Sequence, residues 1–145
     1  MTKRWLHRIL LLALILLAWS LRLCCLESVP SGWRDDALIN IHTISARPLA
    51  GEFPLYFTEA SGHEPLYHYL HAGVHAVWGF NVLSAHILSA VLGTLSVALT
   101  YALARRLFGK SSGLLAAGLL AVSFWSLMYS RTAIRHILLP PLVLA

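Results

Sequence analysis

Between Ser111 and Tyr129 the chain runs nineteen residues without a charge, and between Ala85 and Ala104 its apolar run is interrupted only by His86. A helix needs about 20 predominantly apolar residues to cross the hydrocarbon core of a bilayer, so both runs read as membrane spans. Hydrocarbon offers backbone groups no hydrogen-bond partner, which restricts spanning segments to helices and closed barrels. No segment alternates convincingly as a strand would, and helices remain. A third run, Ile9 to Leu26, is apolar except for Ser20 and Arg22 and follows Lys3, Arg4, His7 and Arg8. It reads as a first span over about residues 6–26, entered from the cytoplasmic side, with Arg22 snorkelling to the outer interface. The run is long and no A-x-A site follows it, which favours a retained span over a cleaved signal peptide. The totals agree: 58% of the residues are hydrophobic and 12% charged, against about 25% charged in a soluble domain. The expected fold is all-α, a polytopic integral membrane protein.

Charge placement then sets the topology. Arg105, Arg106 and Lys110 crowd the turn between the two later spans, which puts that turn in the cytoplasm by the positive-inside rule. With the N-terminus also inside, an even number of spans must separate them, so 65–80 is not a span. It reads instead as an interfacial amphipathic helix opening at Pro65, with His68, His71 and His75 on one side and Leu66, Leu70 and Val77 on the other. An outer loop over 27–81 follows, and it holds all six acids: Glu27, Asp35, Asp36, Glu52, Glu59 and Glu64. Within it, Asp35 to Arg47 reads as a short helix with Ala37, Leu38, Ile41 and Ile44 on its apolar face, ended by Pro48. The third span, 111–129, leads outside again to Arg131 and Arg135, two cations on the side where the rule expects few. A fourth run over 133–145 is too short to span, and the expectation is that the chain is the N-terminal part of one longer transmembrane module, inactive by itself.

The net charge of +5 comes from scattered cations, so no basic stripe exists for a nucleic acid to follow. Cys24 and Cys25 are adjacent, which excludes a disulfide framework and a CxxC metal or redox motif.

Three constellations can carry chemistry. Asp35 and Asp36 follow Trp33-Arg34 just outside the first span; a carboxylate there can act as a general base towards a hydroxyl, or simply sit favourably at a helix N-terminus. His63-Glu64-Pro65-Leu66-Tyr67 lacks the second histidine of H-E-x-x-H, and Tyr67 stands in its place. The three histidines after it stretch over two turns, about 10 Å, which suits a headgroup-facing stripe better than one metal ion, and no metal is expected. Arg131 and Arg135, one turn apart, can fork onto phosphate, either of bulk lipid or of a lipid-linked substrate.

Taken in order, these pieces resemble the polyprenyl-phosphate-sugar-dependent glycosyltransferases of the GT-C fold, the group that contains the dolichyl-phosphate-mannose protein mannosyltransferases and the lipid A aminoarabinose transferases. Arg22-Leu23 leaves the first span. Trp33-Arg34-Asp35-Asp36-Ala37 is similar to W-x-D-E-A, and His63-Glu64-Pro65-Leu66-Tyr67 to H-P-P-L-Y. The stretch from His86-Ile87-Leu88-Ser89 to Leu103-Ala104-Arg105-Arg106-Leu107-Phe108-Gly109 resembles R-L-P-S…LARRLFG, and Tyr129-Ser130-Arg131 resembles Y-S-R. The resemblance implies a GT-C-like helical bundle and inverting transfer of a sugar from a polyprenyl-phosphate donor to a hydroxyl of a glycan, lipid or protein acceptor. Asp35, with Asp36 beside it, takes the catalytic position. His63, Glu64, Tyr67, Arg131 and Arg135 become substrate-binding candidates, with Arg131 the first choice for the departing phosphate. No cofactor is implied. The active site is expected on the outer face of a multi-pass protein, in a prokaryotic plasma membrane. Asp36, Glu64, His86 and His136 depart from the protein mannosyltransferase pattern and favour a broader relative. The alternative is a non-catalytic membrane module that binds lipid or a partner through its outer loop.

Overall fold

The computed structural model describes residues 3–29, 35–59 and 62–145, without the side chains of Lys3, Asp35 and Asp36. The protein is an all-α membrane protein. Two helices, α1 (Lys3–Leu23) and α5 (Val82–Phe108), are long and apolar enough to cross a bilayer. Helices α6 (Lys110–Val122) and α7 (Phe124–Ser130) are long and apolar enough only when taken together across a bend of 62°, the form of a broken span or of a re-entrant loop.

Helix α5 is the centre, with 56% of its most apolar window buried, whereas that of α1 is 11% buried and exposed around most of its circumference. The contact among them is made of small side chains: Ala18, Val97, Ala117 and Ala121 are fully buried with Tyr101 in one cluster. Small residues let the backbones approach closely where no water drives the helices together. A 2.6 Å hydrogen bond between the His7 ring and the Tyr101 hydroxyl joins the start of α1 to the end of α5. Arg4, Arg8, Arg105, Arg106 and Lys110 therefore gather at one end of the bundle, as the charge pattern predicts. The turn there is a single residue, Gly109, at φ +90°, a conformation that any Cβ would strain.

At the other end the chain leaves regular helix. Asp35–Leu38 forms α2, which widens into a π-helical turn over Ile39–Ile44 and closes as α3 (Ala46–Leu49). The sequence expectation is half right here: Ala37, Ile41 and Ile44 are buried, but Leu38 is exposed and Pro48 lies inside the final turn rather than ending it. The widened turn has already shifted the hydrogen-bond register ahead of the proline. Helix α4 (Pro65–Trp78) opens at Pro65 as expected, after Gly62 and a bridge that exchanges two backbone hydrogen bonds between Phe57 and His63. Its faces are the reverse of the headgroup-facing stripe: His68, His71 and His75 are buried against the protein, and Leu66, Leu70 and Val77 are exposed. A 3-10 turn over Arg135–Leu138 and α8 (Leu139–Leu144) complete the fold.

Candidate functional site

The bend between α6 and α7 has its cause in α1. Arg22 does not snorkel to the interface; it is wholly buried. Its guanidinium donates to the Ala18 carbonyl (3.0 Å), the Ala121 carbonyl (3.3 Å), Ser126 Oγ (2.8 Å) and Ser130 Oγ (3.1 Å). In an unbroken helix the Ala121 carbonyl would accept from the N–H of Trp125. The arginine takes that acceptor, and an inserted side chain is a recognised cause of a sharp kink. The uncovered carbonyls at the end of α6 are also the negative pole of that helix. Gly93 on α5 leaves the room: a Cβ there would lie 2.0 Å from Ser130 Oγ and 3.0 Å from Arg22 Nε.

Arg131 and Arg135 do different work. Arg131 donates to the Leu21, Cys24 and Val29 carbonyls at 2.6–3.2 Å, satisfying the last turn of α1 and holding the segment that runs towards Asp35. Arg135 donates to the Gly62 carbonyl at 2.6 Å and pairs with Glu64 at 3.1 Å. Hydrogen bonding to its own backbone, followed by the Arg135 charge, holds the Glu64 carboxyl below the usual carboxylate range. Between these cations, Asn40 donates to the Ala133 carbonyl at 3.0 Å, and Ala37 and Ile41 pack on Ala133 and Ala85. The helix that begins at Asp35 is thereby seated on the turn that carries Arg131 and Arg135.

A cavity of 310 Å³ joins three of the expected residues, Glu64, Tyr67 and Arg135, together with His136. The rest of its lining is Leu66, Leu138, Leu139 and Leu142. His63 and Arg131 are not part of that lining, and Arg131 stands at the end of α1. The Asp35 and Asp36 side chains fall outside the described residues. A second cavity, of 420 Å³, lies at the α6–α7 bend and includes Ser96, Ser123, Ser126, Trp125, Tyr129 and His136 in its lining. His136 and Arg22 are the residues that sequence reasoning undervalued. The signal for Arg22 was present: a cation inside an apolar run, with Ser126 and Ser130 one turn apart in another.

The histidines form a directed chain. His71 Nε2 lies 2.9 Å from the Ala85 carbonyl, which can only accept, so Nε2 carries the proton and Nδ1 accepts. Ser45 then donates to His71 Nδ1 at 3.3 Å and accepts from His68 Nδ1 at 3.2 Å. His68 Nε2 in turn accepts from His63 Nδ1 at 3.0 Å. In this arrangement the His68 and His71 rings are neutral. Burial, with His63 and His71 beside it, pushes His68 down to about 4, and burial pushes His71 down to about 4 as well. Tyr67 stacks on His71 and reaches Ser89 with its hydroxyl at 3.3 Å; burial pushes that phenol up. Among the described residues no group of three His, Cys, Asp or Glu side chains is arranged to hold a metal ion.

No curated protein and no solved structure matched the chain. A family model described as dolichyl-phosphate-mannose-protein mannosyltransferase matches residues 62–145, from the glycine before the His63-Glu64-Pro65 motif through α8. That stretch is more than half of the chain and includes the Arg135 cavity. The chain belongs to the dolichyl-phosphate-mannose-protein mannosyltransferase family of membrane glycosyltransferases.

Proposed function

We propose that the protein transfers a sugar from a polyprenyl-phosphate donor to an acceptor hydroxyl at the outer face of the membrane, with inversion at the anomeric carbon and Asp35 as the general base. The observation that carries this reading is the Arg135 cavity, whose lining combines charged and polar side chains with four leucines. A lipid-linked sugar phosphate has an apolar chain and an anionic head; the leucines suit the chain, and Arg135 suits the phosphate.

In the reaction the Asp35 carboxylate takes the acceptor proton as the hydroxyl oxygen bonds to the anomeric carbon. The bond from that carbon to the phosphate oxygen breaks, and the phosphate leaves with the electron pair. Negative charge grows on it as it departs, and the Arg135 guanidinium stabilises that charge. Arg135 suits this role better than Arg131, because its bonds to the Gly62 carbonyl and to Glu64 use Nη1 alone, whereas Nε, Nη1 and Nη2 of Arg131 all donate to carbonyls. Glu64 and Tyr67 bound the head of the cavity, and His63 anchors the turn before α4. The end with Arg105, Arg106 and Lys110 is cytoplasmic in this reading, which leaves Asp35 and Arg135 outside.

The test is donor chemistry. The full-length protein, purified and supplied with a radiolabelled polyprenyl-phosphate sugar, should transfer the label and invert its anomeric configuration, read by proton NMR of the product. Transfer from a nucleotide sugar in the absence of the lipid, or retention of configuration, would contradict the proposal.

A further inference from the structure

The end of α1 holds a pair of reactive groups that neither cavity uses. Cys24 and Cys25 are both free and exposed, and their sulfurs lie 3.7 Å apart in a hydrogen bond. Adjacent cysteines cannot staple distant segments, but they can close on each other. Cys25 also stands at φ +56°, the only non-glycine residue at positive φ among the described residues. A side chain in that conformation crowds its own backbone and needs support from its surroundings.

That support comes from two directions. The Cys25 carbonyl accepts from the N–H groups of Ser28 (3.1 Å) and Val29 (2.9 Å), which closes a turn after the helix. Arg131 grips both ends of this turn, donating through Nη2 to the Cys24 carbonyl at 2.6 Å and to the Val29 carbonyl at 2.8 Å. The peptide group between the two cysteines is thus itself a partner of Arg131. A disulfide closed across that peptide makes an eight-membered ring, which includes the bonds that define ψ of Cys24 and φ of Cys25. Those torsions orient the Cys24 and Cys25 carbonyls, so the oxidation state of the thiols and the Arg131 contact turn on the same two bonds.

We propose that Cys24 and Cys25 form a reversible redox site, oxidised to a vicinal disulfide by a small-molecule or protein disulfide, and that ring closure releases the hold of Arg131 on the turn after α1. One cysteine thiolate attacks a sulfur of the oxidant and expels a first thiolate; the neighbouring thiolate then attacks the mixed disulfide and expels the second. Two thiols become one disulfide, the oxidant disulfide becomes two thiols, and the two protons pass to the expelled sulfurs. Adjacent Cα atoms lie about 3.8 Å apart, short of the usual disulfide range that begins at about 4.4 Å, and such strain makes the bond more reducible. A readily reversed bond suits a switch rather than a staple. In the proposed topology this end lies outside the cytoplasm, where disulfides form and persist. The site stands whether or not Asp35 is a base or the Arg135 cavity takes a sugar donor.

The test is a redox titration. Full-length protein in maltoside micelles is equilibrated without oxygen in mixtures of reduced and oxidised glutathione, quenched in acid, alkylated and digested for mass spectrometry. The peptide carrying both cysteines should pass from a doubly alkylated form to an unalkylated form lighter by two hydrogens, and return when reduced glutathione is in excess. Cys25→Ser should stop at a mixed disulfide with glutathione on Cys24. Arg131→Lys, which keeps the charge and loses the fork, should be half oxidised at a ratio of oxidised to reduced glutathione at least tenfold lower than wild type. In the wild-type protein, hydrogen exchange over 26–29 should quicken on oxidation while α5 is unchanged. Glutathione on both cysteines, or disulfides only between molecules, overturns the site. A vicinal disulfide that leaves exchange over 26–29 unchanged, or an Arg131→Lys midpoint equal to that of wild type, overturns its link to Arg131.

Discussion

The bundle core and the end of the molecule away from Arg105, Arg106 and Lys110 are held together by opposite chemistries. In the core, Ala18, Val97, Ala117 and Ala121 bring α1, α5 and α6 together with almost no polar contribution. At that end, side chains from distant parts of the chain terminate on main-chain carbonyls. Arg22 reaches Ala18 and Ala121, Arg131 reaches Leu21, Cys24 and Val29, Arg135 reaches Gly62, Asn40 reaches Ala133, and His71 reaches Ala85. The difference follows from the backbone. Unbroken helices satisfy their own carbonyls, whereas bends, turns and helix ends do not, and those near a membrane need partners from the protein. Arg131 and Arg135, out of place by the positive-inside rule, are explained by this need. Both candidate cavities lie where the backbone is irregular and cations have been brought in to support it.

If that contrast is right, removing a carbonyl-capping cation should damage the protein more than trimming any one apolar contact in the core. Arg22→Met should be the largest effect, a loss of about 3 kcal/mol or more in reversible unfolding, because two serines and the Ala121 carbonyl lose their buried partner. A loss below about 1 kcal/mol would mean that the α6–α7 bend does not depend on the guanidinium.

Acid should separate the two regions next. His68 and His71 lie near 4 in the folded protein, below the ordinary imidazole value of 6.5. The lowered value means that the folded state disfavours their protonation, so their contribution is intact above about pH 6.5 and is lost as the pH falls towards 4. Hydrogen exchange between pH 7 and pH 4 should therefore lose protection first over 39–49 and 65–78, with α5 and α6 retaining theirs. Simultaneous loss across both regions would erase the distinction. Ser45→Ala is the smaller probe, expected to cost about 1–3 kcal/mol because it leaves His68 Nδ1 and His71 Nδ1 without their shared hydroxyl. Its effect should shrink below pH 5, where the histidine chain is already protonating.

The sequence makes the spans and the gathering of cations at one end legible, because each depends on local composition. It also separates the two faces of α4, but periodicity cannot say which face will be covered. The histidines turn inward because Ser45, Ala85 and Ser84 come to meet them from elsewhere in the chain. The bend at Ser123 was invisible for the same reason: no proline or glycine marks it, and its cause is an arginine about a hundred residues earlier. The family was readable from motif order, and the matched stretch begins just before His63. The Trp33-Arg34-Asp35-Asp36 motif precedes that stretch, so the role of Asp35 rests on the resemblance and on its helix being seated against Ala133.

The proposed base is therefore the point to measure. Sugar transfer from a polyprenyl-phosphate donor should fall by about 10²-fold or more in Asp35→Asn, in the range general-base catalysis contributes, with donor binding and unfolding unchanged and Asp36→Asn much less affected. Transfer by Asp35→Asn at the wild-type rate would contradict the account.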